Sequence, residues 1–222
     1  MDIIYEDNHL LVVNKPSGML AQGDKTGDNS LVELGKNYLK KKYKKPGNVY
    51  LGLVHRLDRP VSGIVIMTKT SKALVRMSKQ FQEKSITKIY WAITENPLPE
   101  VEDKLEHWLI KNHQKNIVSA YQNEKKGSVK AELEYKILSH IGSHYLTEIK
   151  LLTGRFHQIR TQFSSIGCPI VGDLKYGYKK PLPDKSICLH AKTLIFSHPV
   201  KNESMTLSAA TPINTFWETF IH

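Results

Sequence analysis

Beyond about residue 87 the sequence is dominated by short strand-like runs. The runs at 89–94, 131–138 and 145–152 alternate or stay apolar for six to eight residues. Segments of that length and period suit a pleated sheet and are too short for the helices of a bundle, so an all-helical fold is excluded. Two further runs, 189–197 and 205–209, predict strands, and GIVIMT at 63–68 is apolar and β-branched in the manner of a buried strand. Residues 2–13 alternate and then stop at Lys15-Pro16-Ser17-Gly18, which predicts a strand entering a loop. Helical spacing is found over 29–45, where Leu31, Leu34, Tyr38 and Leu39 recur behind the candidate caps Asp28, Asn29 and Ser30. Thr70 and Ser71 cap a second helix with Leu74, Met77 and Phe81 on one face, and 157–166 predicts a short helix ended by Gly167. Between the strands, 103–128 is polar, basic and turn-rich, either a loop or an exposed hairpin. With no internal repeat or low-complexity linker, the expectation is one α+β domain over residues 1–222. It is built on a mixed, mostly antiparallel β-sheet with flanking helices and loops.

Charge narrows the partner. Thirty-two Lys+Arg against 21 Asp+Glu leave a net +11, which favours a polyanion. Hydrophobic residues at 40% are enough for a substantial core. No stretch approaches the roughly 18 apolar residues that span a bilayer. The N-terminus has Asp2 and Glu6 and no Lys or Arg before its apolar run, unlike a secretory signal. A cytoplasmic protein is expected, with no membrane partner. The cysteines, Cys168 and Cys188, form no CxxC pair and are expected as buried free thiols. The ten histidines are scattered, and His140 and His144 straddle a turn, so no metal is expected.

Two segments carry candidate chemistry. In Val54-His55-Arg56-Leu57-Asp58-Arg59-Pro60-Val61-Ser62-Gly63, a carboxylate stands between two arginines, whose charge favours its ionised form. Pro60 and Gly63 put it on a rigid loop beside the 63–68 strand, where reactive groups are commonly displayed. An ion pair that fixes the loop would give the same pattern. In Leu152-Thr153-Gly154-Arg155-Phe156-His157-Gln158-Ile159-Arg160, a strand ends and a helix carrying cations begins. Arginine there suits a phosphate or a buried carboxylate, and a solvated helix is the alternative.

HRLDRPVSG resembles the signature of the RluA family of pseudouridine synthases, HRLD-[RK]-x-[ST]-SG. TGRFHQIR with GCPIVGD resembles that family's second signature. YEDNHLLVVNKPSGML resembles its opening motif, Lys88-Ile89-Tyr90 its K-x-Y element, and LHAKTLIFSHP its C-terminal segment. The matches run in the family's order from residue 5 to about 199. One departure is Pro60-Val61, where the family usually has a polar residue and then Thr or Ser. Many relatives carry a small RNA-binding domain ahead of the opening motif, and this chain is read as the catalytic domain alone.

The resemblance implies isomerisation of uridine to pseudouridine in ribosomal or transfer RNA, within a central active-site cleft and without a cofactor. Asp58 would act at the sugar, as nucleophile or through a glycal route. Arg160 would partner that carboxylate, and Tyr90 would stack on the target base and move protons. Base flipping is implied, because a uridine inside a helix cannot reach these groups. His55, Arg56, Arg59, Arg155, His157 and Gln158 are expected to shape the site or touch RNA. Lys40, Lys41 and Lys42, within the six-lysine run 36–45, are expected to hold its backbone. Lysines of the 111–130 segment are a further candidate, and a monomer is expected. Two rival readings are a silent RNA-binding module and a glycosidase. The latter would need a second acid, for which only Asp173 is available inside the signatures.

Overall fold

A computed structural model describes residues 1–24 and 27–221. In chain order its elements are β1 (Asp2–Glu6), β2 (Leu10–Lys15), α1 (Leu31–Lys42), β3 (Gly52–Leu53), β4 (Ser62–Thr68), α2 (Ser71–Gln82) and β5 (Thr87–Thr94). They continue with β6 (Glu102–Asn112), β7 (Ile117–Tyr121), β8 (Val129–Ile141), β9 (His144–Leu151) and α3 (Gln158–Ser165). A 3-10 turn (Leu174–Tyr176), β10 (Leu189–Ser197), β11 (Ser204–Ser208) and α4 (Thr215–Ile221) complete it. The α+β class and the antiparallel bias are as expected. The chain forms two compact units: Met1–Thr87 with Ala191–Thr211, and Lys88–His190 with Pro212–His222.

In the first unit the strand order is β1-β2-β4-β10, with β11 antiparallel to β10 and β3 antiparallel to β4. The single strand expected over 2–13 is instead a hairpin, β1 against β2. Asp7 makes the turn: its Oδ1 accepts the backbone N–H groups of His9 and Leu10, each at 2.7 Å. This local side-chain turn interrupts a run that by alternation alone looked continuous. Leu10 to Val13 and Ile64 to Met67 are fully buried, so β2 and β4 are covered on both faces. Helix α1 starts at Ser30 in a capping box with Glu33 and lies close to the sheet at Gly35. A Cβ there would stand 2.6 Å from Leu51 Cδ2. Thr70 caps α2 by accepting from Ala73 N.

In the second unit the order is β5-β9-β8-β6-β7, and the successive pairs are antiparallel. The basic 103–128 segment is a hairpin whose strand β6 is eleven residues long. Leu105, His107 and Leu109 alternate inward along β6. Helix α3 packs against β6 and β7 and is buried at every position from Gln158 to Phe163. Trp217 of α4, a helix the sequence reading left out, is also buried. Both cysteines are buried free thiols, as expected. No helix among the described residues is long and apolar enough to cross a membrane.

Candidate active site

Asp58 lies on the loop between β3 and β4. Its neighbours Leu57 and Val61 are 7% and 3% exposed and pin the loop to the core, while Asp58 itself is half-buried. Val61 N donates to Asp58 O at 3.0 Å, closing a tight turn beneath the carboxylate. The departure from the family pattern at Val61 therefore supplies apolar anchorage. Gly63 has φ +120°, and a Cβ on it would meet the Ala191 backbone oxygen at 2.3 Å, so only glycine fits where the loop enters β4.

Lys15 holds the other side of the loop. It is fully buried, and its Nζ donates to the carbonyls of Pro16, Met19 and Arg59 at 3.0, 2.9 and 3.3 Å. Gly18 N also donates to Arg59 O, and Arg59 Nε donates to Gly18 O. The turn after β2 and the aspartate loop are thus laced together. Burial pushes the Lys15 ammonium down to about 7, against the opposing pull of the Asp58 charge and with the Arg59 charge adding to the depression. Reasoning from sequence passed over Lys15, although it sits inside the opening motif.

Several expected contacts have other duties. His55 accepts a hydrogen bond from Ile66 N at Nε2 and stacks on Phe81 at 4.9 Å, which makes it a brace for β4. Arg56 is exposed, and Arg59 pairs with Asp28 at 2.7 Å in the open. Lys42 is tied to Glu6 at 2.7 Å, whereas Lys40 and Lys41 project into solvent. Burial raises the Glu6 pKa, but hydrogen bonds from Lys42, Tyr43, Lys69 and Tyr38 outweigh this and bring it to about 2.

In the second unit Tyr90 is half-buried on β5, in register with Ile149. Arg160 is 5% exposed and grips Asp173 bidentately, with Nε to Oδ2 at 2.7 Å and Nη2 to Oδ1 at 2.8 Å. Its guanidinium also lies 5.0 Å from the centre of the Tyr176 ring. Such a fork fixes the side chain in one rotamer. Asp173 is 1% exposed and committed to Arg160, which argues against it as a glycosidase's second acid. The sequence reading named Asp173 only as that candidate acid and did not foresee its pairing with Arg160.

Gln158 staples the start of α3 to its surroundings. Its Oε1 accepts from Thr153 Oγ1 and Arg155 N, and its Nε2 donates to Glu132 O. Arg155 is exposed and donates through Nε to Lys130 O. His157 is buried with a left-handed φ of +52°, and its Nδ1 is 2.7 Å from Tyr176 Oη. The structure thus gathers Arg160, His157 and Gln158 at the start of α3 and turns the last two toward the fold.

Residues 9–165, most of the chain, match the RNA pseudouridylate synthase family. A "Ribosomal large subunit pseudouridine synthase C" of Buchnera aphidicola subsp. Schizaphis graminum is 32% identical over the whole of this chain and 70% of its own length. The chain belongs to the RNA pseudouridylate synthase family. A synthase D of Zymomonas mobilis is 33% identical over 96% of this chain and 69% of its own length. The synthase C of Vibrio parahaemolyticus is 33% identical over 93% and 64%. The fold agrees. The solved structure "Human RNA Pseudouridylate Synthase Domain Containing 4" superposes with TM-score 0.80 over 96% of this chain and 89% of its own, at 22% identity. The corresponding "Domain Containing 1" protein gives 0.76 over 96% and 84%, at 24% identity. The family's reaction converts uridine in RNA to pseudouridine, and this chain is an isomerase of that class.

Proposed function

We propose that the chain isomerises uridines of large-subunit ribosomal RNA, with Asp58 as the catalytic carboxylate. Its relatives bear the name of large-subunit ribosomal enzymes, which supports that substrate over transfer RNA. The reaction breaks the bond from the sugar to ring nitrogen 1, turns the base, and joins the sugar to ring carbon 5. The proton leaves carbon 5 and nitrogen 1 regains one, so the product is an isomer and no redox partner is consumed. Whether Asp58 attacks the sugar or draws a proton from it, it acts as an ionised carboxylate. Arg160 is the catalytic cation of this reading, and Asp173 fixes its rotamer in advance. Tyr90 stacks on the flipped base. The chain acts in the cytoplasm, as a monomer.

The observation that carries this reading is the Asp58 loop: apolar residues on either side hold a half-buried carboxylate in one place. Asp58→Asn removes the charge and keeps the volume. Tritium release from ribosomal RNA labelled at uridine carbon 5 is expected to fall to background in that variant, with RNA affinity and unfolding unchanged. Turnover near the wild-type rate would remove Asp58 from the mechanism. Chemical mapping of pseudouridines in RNA from cells with and without the chain identifies the uridine.

A further inference from the structure

Phe156 is an oddity in the second unit. It is 41% exposed, yet it directly precedes a helix buried from Gln158 to Phe163. The left-handed backbone at His157 separates the two environments: His157 turns inward and Phe156 outward. The Phe156 ring is nonetheless held in place. The His157 imidazole lies 3.8 Å from it, centroid to centroid, at 21°. His157 is in turn fixed by Tyr176, whose hydroxyl takes a hydrogen bond from Val118 N at 3.0 Å. With one face covered at that distance, Lys111 Nζ, 3.9 Å from the ring centre, must lie over the other. Among the described residues no acid pairs with Lys111, whereas nearby Lys130 is neutralised by Glu106 and Glu132.

We propose that Phe156 is a stacking platform for an unpaired base of the bound RNA, other than the uridine that reacts, with Lys111 taking the adjoining phosphate. The proposal rests on the reading of the chain as an RNA enzyme. An exposed aromatic ring, rigidly backed and flanked by cations, is the means by which proteins hold single strands without reading sequence. Lys111 is on a flexible stem and cannot be displaced from an ion pair it does not make. It can therefore swing from the ring to a phosphate when a base arrives, exchanging a cation–π contact for a charge-assisted one. Arg155, exposed next to Phe156, extends the positive rim.

The test uses a single-stranded RNA nonamer without uridine, which offers the active site no target, and a duplex of the same length. Phe156→Leu is expected to weaken single-strand binding by about 5- to 150-fold, the range for loss of one base–aromatic stack, and to leave duplex binding unchanged. Lys111→Gln is expected to lower the log–log salt slope by about 0.7, one single-strand phosphate contact. In Phe156→Trp, the single strand should quench fluorescence beyond the quenching seen with the wild-type chain, a readout that does not depend on the leucine variant folding. Equal affinity of wild type and Phe156→Leu, or no added quenching in Phe156→Trp, overturns the platform. Pseudouridine formation in ribosomal RNA is measured alongside. Activity without a Phe156 effect removes the platform alone. A Phe156 effect in an inactive chain removes the catalytic reading alone.

Discussion

The Asp58 loop and the start of α3 hold their functional side chains by opposite means. The loop is fixed through its backbone and apolar residues: Leu57 and Val61 are sunk in the core, Gly63 admits no side chain, and Lys15 gathers three carbonyls. Its charged side chains, Arg56 and Arg59, stay at the rim. At α3 the side chains themselves form the scaffold, as Gln158, His157, Arg160, Asp173 and Tyr176 engage one another or the backbone around them. The first arrangement holds its carboxylate through the chain on either side of it. The second couples position to stability, so a lost partner leaves a buried polar group behind.

The largest expected effect follows from that contrast. Arg160→Ala or Asp173→Ala strands one charge of a buried pair, at a cost of about 3–5 kcal/mol in urea unfolding. Asp58→Asn, equally damaging to activity, should unfold close to wild type. If Arg160→Ala were no less stable than Asp58→Asn, the two regions would not differ as their geometry says. Replacing Arg160 and Asp173 together by apolar residues should recover much of the stability and none of the activity.

Lys15 sharpens the comparison from the loop's side. Its ammonium titrates near 7 in the folded chain and near 10.4 when unfolded. Between those values the unfolded state binds more protons, so stability contributed at this site rises with pH from about 7 to about 10. Below about 7 the lysine is charged in both states and the penalty is constant. Lys15→Met should remove that rise, seen as a flatter pH dependence of the unfolding free energy relative to wild type. It should also lower kcat more than it raises KM, because a loosened Asp58 loop misplaces the carboxylate after RNA is bound. An unchanged pH slope would mean that Lys15 is a structural cation with ordinary titration.

The sequence disclosed those parts of the molecule that depend on local pattern. The strands at 63–68, 189–197 and 205–209 and the helices capped by Ser30 and Thr70 carry their own periodicity and stop signals. The β1–β2 hairpin was hidden, since its turn rests on one aspartate side chain inside an otherwise alternating run. At the site, pattern made the Asp58 loop and the start of α3 candidates beside an ion pair and a solvated helix, and only the resemblance to the family gave Asp58 and Arg160 their roles. Partner choice could not be read in the same way. Asp173 stands thirteen residues from Arg160 in a tail with no charge pattern. Lys15 looks like any lysine before a turn, and lysines are rarely buried. The backbone groups that Gln158 and His55 satisfy could not be read from sequence either.

The smallest effect concerns the lysines at the end of α1, where the two means of holding a charge meet in neighbouring residues. Lys42 is bound to Glu6, whose pKa of about 2 shows a carboxylate committed to its donors. Lys40 and Lys41 are exposed and supply mobile charge. A lysine that neutralises an RNA phosphate releases a counterion, and each such contact adds about 0.7–0.9 to the log–log salt slope. If both free lysines make contact, Lys40→Gln with Lys41→Gln should flatten the slope by about 1.4–1.8 and weaken all RNAs alike, with little change in kcat. Lys42→Gln should leave the slope nearly unaltered, because a cation already paired with a carboxylate has less counterion release to give. It should instead unsettle the Glu6 cluster, so that acid destabilisation, which for wild type sets in as pH falls from about 4.5 toward 2, becomes shallower. Equal slope changes at Lys41 and Lys42 would mean that RNA displaces Glu6, and the helix end would then bind as one patch.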